Sequence, residues 1–150
     1  MKMKVENIPA YTIAFLRRIG AYGEENHNTM NRLKAYAEEN GLMNEKSIVL
    51  GIVMDDPEAT EAEKCRYDAC ICVDSGYRPA DNKIRVRTFP GGKYAVFEVD
   101  HTTEAVTEAW QNIYGIISES GYNPNDKPAI ERYTLKMIDQ GKCEICIPIK

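Results

Sequence analysis

The chain repeats itself, and that constrains its fold more than any single motif. Asn40-Gly41-Leu42 and Ser120-Gly121-Tyr122 each close a helical stretch. The segments Tyr67-Asp68-Ala69-Cys70-Ile71-Cys72-Val73 and Cys143-Glu144-Ile145-Cys146-Ile147-Pro148-Ile149 share an order in which an acid is followed two residues later by Cys and then Ile. Each half reads strand, helix, strand, strand, so the ordered similarity predicts two copies of one supersecondary unit. The predicted fold class is α+β: duplicated βαββ units, with halves of about 1–78 and 79–150, forming an antiparallel sheet. Two helices cover one side, and a central cleft opens on the axis between the halves. A chain of 150 residues with 43% hydrophobic content is long enough for one such domain.

The expected strands span 11–16, 47–54, 66–73, 84–89, 93–99, 127–135 and 143–149. Helices are expected over 24–40 and 104–120, where Met30, Leu33 and Ala37, and then Val106, Ala109, Trp110, Ile113 and Ile117, recur at helical spacing. In the last strand of each half, Ala69, Ile71 and Val73 match Ile145, Ile147 and Ile149 as the apolar set that should meet the helices. The alternate set, Asp68, Cys70, Cys72, Glu144 and Cys146, is expected to line the cleft.

Within 127–135, alternation places Glu131 on one face with Ala129, Tyr133 and Leu135. Counting back from the matched helix ends makes Gly51 the equivalent of Glu131 in the first half, and Val53 the equivalent of Tyr133. One half thus offers a carboxylate where the other offers no side chain. This predicts a pocket with one charged residue at its floor and room above it. Trp110 falls in the apolar stripe of its helix, which predicts packing as well as ligand contact. Tyr114 lies one turn further along the same side.

Several function classes are excluded or disfavoured. A net charge of −4 and a pI near 5.3 argue against a basic field for nucleic acid. No stretch approaches the ~20 apolar residues of a membrane span, and no signal-peptide run follows Met1-Lys2-Met3-Lys4. Five cysteines without such a signal suit a reducing, cytoplasmic setting. Cys143-Glu144-Ile145-Cys146 has zinc-like spacing, but in a strand its two thiols point to opposite faces. No metal is therefore expected.

Five ordered motifs carry a family resemblance: the run from Leu50-Gly51-Ile52 through Asp55-Asp56-Pro57-Glu58 to Cys70; Gly91-Gly92-Lys93-Tyr94-Ala95-Val96-Phe97; Trp110-Gln111-Asn112-Ile113-Tyr114; Lys127-Pro128-Ala129-Ile130-Glu131-Arg132-Tyr133; and Glu144-Ile145-Cys146-Ile147-Pro148-Ile149. Across essentially its whole length the chain resembles the gyrase-inhibitor-like (GyrI-like) domains, stand-alone relatives of the effector-binding domains of AraC-type and MerR-type regulators. The resemblance implies an SHS2-type pseudo-twofold fold that binds hydrophobic, aromatic or cationic small molecules without a cofactor. It maps the family's pocket glutamate onto Glu131, the aromatic two residues later onto Tyr133, and the helix aromatics onto Trp110 and Tyr114. Family members often carry aromatics near Val53, Met54 and Cys146, so the non-aromatic residues at these positions here imply a wider, less aromatic pocket, with Cys146 and Gly51 among its expected lining. Two alternatives also follow: a hydrolase of cyclopropane-containing or similar electrophiles with Glu131 as general base, and a gyrase-inhibitor-type protein with DNA gyrase or a regulator as partner. No helix-turn-helix precedes the first strand, so direct DNA binding is not expected.

Overall fold

The computed structural model describes residues 1–150. Eight strands form one antiparallel sheet: β1 (Met3–Ile8), β2 (Tyr11–Ile19), β3 (Val49–Val53), β4 (Arg66–Val73), β5 (Arg85–Phe89), β6 (Gly92–Asp100), β7 (Ala129–Tyr133) and β8 (Lys142–Pro148). Two long helices, α1 (Glu24–Glu39) and α2 (Thr103–Glu119), follow β2 and β6, and a short α3 (Leu135–Asp139) follows β7. Spatial order is β1-β6-β8-β7-β3-β4-β2-β5. Read from the centre outwards, each strand of the first half has its counterpart at the same distance on the other side.

That order holds a strand the sequence reading missed. Each half begins with an extra strand, β1 or β5, and these two are exchanged. β1 pairs with β6 of the second half, and β5 pairs with β2 of the first. The exchange forces the sheet to curl. β1 and β2 stand six strands apart, about 29 Å in a flat sheet, yet only Pro9 and Ala10 join them, a reach of about 11 Å at most. β5 and β6 obey the same constraint through Pro90 and Gly91. The two links cross closely: a side chain on Gly91 would run into the carbonyls of Ile8 and Pro9, and Gly91 itself takes a φ of 71° that favours glycine.

The helices form where their ends are marked. Thr102 caps α2 by accepting from the Ala105 amide at 3.1 Å, with Glu104 in the first turn. Gly41 and Gly121 follow α1 and α2 with positive φ. Met30, Leu33 and Ala37 of α1 join Ala109, Ile113 and Ile117 of α2 in one core with Ile71, Ile145 and Ile147 of the sheet. The apolar sets of β4 and β8 therefore meet the helices as expected. Each fully buried Ile or Leu of this layer contributes roughly 1.5–3 kcal/mol relative to exposure.

The opposite face corrects an expectation. It is not an open cleft but a second core, in which Ile13, Leu50, Ile52, Phe89, Tyr94 and Ile130 pack inside the curl together with Cys70 and Cys146. The acids on that face are closed off by ion pairs. Asp68, fully buried, accepts from Arg17 at 2.7 and 2.8 Å and from Arg87 at 2.8 Å. Its counterpart Glu144 accepts from Arg132 at 2.9 Å, and Arg132 also grips Glu6 at 2.6 and 2.9 Å. The expected strand over 127–135 is also shorter, because Thr134 leaves the sheet to cap α3 through the Met137 amide.

Candidate functional site

The centre of the sheet is the antiparallel pair β3–β7. Val49 faces Tyr133, Gly51 faces Glu131 and Val53 faces Ala129, so the register reads alike from either strand. The pseudo-twofold axis therefore passes through the Gly51–Glu131 pair. Glu131 points to the helix side, as do Tyr133 and Ala129, which pack with the helix-side core. The cleft thus lies between the helices and the sheet rather than on the helix-free face.

On the α2 side of the axis a cavity of about 860 Å³ opens. Glu131, Trp110, Tyr114, Tyr22, Met54 and Ile147 contribute to its lining. Its size falls in the range of small-molecule sites. Trp110 is half-buried and packs against the core, while Tyr114, one turn on, is 48% exposed. Burial and the nearby charge of Asp56 both push the Tyr114 hydroxyl above its ordinary range. Glu131 is partly buried and forms no salt bridge, and burial pushes its carboxyl above the usual carboxylate range.

One wall is the β3–β4 connection, and it is held firmly. Arg66 clasps Asp55 through two guanidinium contacts of 2.8 and 2.9 Å, and its amide donates to the same carboxylate. The Tyr22 hydroxyl donates to the Arg66 carbonyl at 2.7 Å and accepts from the Asp55 amide at 3.1 Å. This leaves Asp56 and Glu58 exposed at the mouth, with Asp126 from the α2–β7 connection also at the rim.

The other expected site residues fall elsewhere. The room above Gly51 is filled by the ring of Tyr67, whose hydroxyl would lie 2.5 Å from a Cβ there. Burial and then the charge of Glu131 drive the Tyr67 hydroxyl far above its ordinary range. Tyr133 is 3% exposed and sits across the axis, with the Lys34 ammonium 4.7 Å from its ring centre. Burial lowers the Lys34 ammonium below its ordinary range. Cys146 alternates away from Ile145 and Ile147 into the second core, so it does not reach this cavity. Tyr22 and the rim acids are lining residues that the sequence reading does not anticipate. Asp55-Asp56-Pro57 carried the signal of a turn, and nothing local marks Tyr22, whose partners come from β4.

The sequence profile of the GyrI-like small molecule binding domain matches residues 1–150. The chain belongs to that family. Among its relatives is the SPbeta prophage-derived regulator candidate YosT of Bacillus subtilis (strain 168), 42% identical over 151 residues and covered in full by the match, as is this chain. In three dimensions the GyrI-like fold aligns with the C-terminal domain of EcmrR at a TM-score of 0.78 and 13% identity, covering 99% of this chain and 97% of that one. It also aligns with SAV2435 bound to tetraphenylphosphonium at a TM-score of 0.67 and 20% identity, covering 100% of this chain and 94% of the other. The chain is thus a GyrI-like small-molecule-binding domain, and none of its helices is long and apolar enough to cross a membrane.

Proposed function

We propose that the cavity beside α2 binds lipophilic cations and aromatic compounds, with Glu131 as the counter-charge at its floor. The observation that carries this reading is a carboxylate with no cationic partner inside a cavity walled by Trp110 and Tyr114. A desolvated carboxylate without a partner is costly, and a cation recovers that cost while its apolar groups lie on the aromatic rings. The tetraphenylphosphonium held by SAV2435 supports the same ligand class.

The test compares tetraphenylphosphonium with neutral triphenylphosphine oxide by thermal shift and calorimetry. A ligand at 100 times its dissociation constant adds about 2.7 kcal/mol of stability, or roughly 5–10 °C for a chain of this size. Glu131→Gln should weaken the phosphonium at least tenfold and leave the phosphine oxide within about twofold. Equal losses for both compounds, or no binding by either, would overturn the assignment.

A further inference from the structure

The cavity carries acid at two levels. Its lining includes Asp55, Asp56, Glu58, Asp126 and Glu131 against a single ammonium, Lys127, which leans against Gly92. Asp55 is neutralised by Arg66. Asp56, Glu58 and Asp126 form no ion pair and are exposed at the mouth, while Glu131 sits partly buried on the axis. Asp56 follows the axis residue Gly51 by five positions, which bounds their separation at about 17 Å. Trp110 and Tyr114, one helical turn apart, line the same cavity. Tyr114 is the more exposed of the two.

Building on the proposed role of Glu131, we propose that the preferred ligands are dications: two cationic ends joined by an apolar spacer. One end pairs with Glu131, the spacer lies along Trp110 and Tyr114, and the other end sits among Asp56, Glu58 and Asp126. A monocation uses only the floor. At the mouth the second contact is solvated and screened by salt, so its signature is a moderate, salt-sensitive gain in affinity that depends on spacer length.

The experiment uses the intact chain and matched probes: decyltrimethylammonium, and bis(trimethylammonium) alkanes with spacers of four, six and ten carbons. The ten-carbon dication should bind about tenfold more tightly than the decyl monocation at low salt, and the four-carbon one should lose that advantage. The combined variant Asp56→Asn, Glu58→Gln, Asp126→Asn should bring the ten-carbon dication to the affinity of the monocation and leave the monocation within twofold. The asparagine at position 56 keeps the acceptor for the Glu58 amide, which Asp56 holds at 2.9 Å, so the loop retains its turn. If the monocation binds but the ten-carbon dication binds no better, or if the rim variant weakens both equally, the two-level proposal fails while the floor assignment stands. If none of the probes binds, both fail.

Discussion

Gly51→Ala tests whether the space on the axis is occupied as described. A Cβ at Gly51 would lie 2.5 Å from the Tyr67 hydroxyl oxygen, 3.2 Å from Cζ and 3.3 Å from Cε1. The ring must withdraw by roughly an ångström to reach normal contact distance. It has little room, because Tyr67 is 6% exposed in the helix-side core. Overpacking of this kind costs about 1–3 kcal/mol. Replacing a glycine inside a strand returns about 0.5–1 kcal/mol. At the middle of these ranges steric strain wins, for a net loss of about 1 kcal/mol, or a fall in Tm of roughly 2–4 °C. The assay is urea denaturation of four proteins: wild type, Gly51→Ala, Tyr67→Phe and the double variant. Tyr67→Phe removes the 2.5 Å contact and leaves contacts above 3 Å, so the double variant should recover most of the loss, with a coupling of about 1 kcal/mol. A Gly51→Ala protein as stable as wild type, or one that Tyr67→Phe does not rescue, would refute this packing.

Two further predictions concern charge. Arg132→Met leaves Glu144, whose side chain is 9% exposed, with only the solvent-exposed Lys4 ammonium at 3.6 Å, and should cost about 3 kcal/mol at neutral pH. Arg132 holds the Glu6 carboxyl below its ordinary value, so the stability it confers is present above that value and lost as pH falls through the lowered one. The gap between wild type and variant in denaturant midpoints should therefore narrow below about pH 4. Glu131 has the opposite sign: its carboxyl is raised, so the folded state loses stability as pH climbs from the ordinary carboxylate value through the raised one. Glu131→Gln should melt higher than wild type at pH 7 and equally below about pH 4, and equal melting across that range would show that Glu131 is not desolvated.

Much of this architecture could be read from residue order. The stripe Ala109, Ile113 and Ile117 and the alternation of Ile145 and Ile147 each put one face into the core, and the matched helix ends paired Gly51 with Glu131. What could not be read was non-local. Lys4-Val5-Glu6 looks like a polar leader because its neighbours in β6 come from the other half of the chain. Period-two alternation tells which residues share a face but not which face stays open. That depends on the exchanged strands β1 and β5, which curl the sheet and fill the helix-free side. The ring over Gly51 arrives from β4, on a diagonal that no count along β3 reveals. The strand over 127–135 was extended too far because alternation continues past Tyr133, whereas the capping bond of Thr134 ends it.

The register at the centre of the sheet also says why the two units occupy one polypeptide. A homodimer of single units would place identical residues on the axis, because that position pairs with its own copy. Two glutamates there would face each other across adjacent strands with Cβ atoms about 4.5–5.5 Å apart, a repulsive pair under the helices. Two glycines would leave no charge at all. Fusion into a single chain lets the copies diverge at this one position, so that a lone acid can stand on a symmetry axis that a true dimer would forbid it.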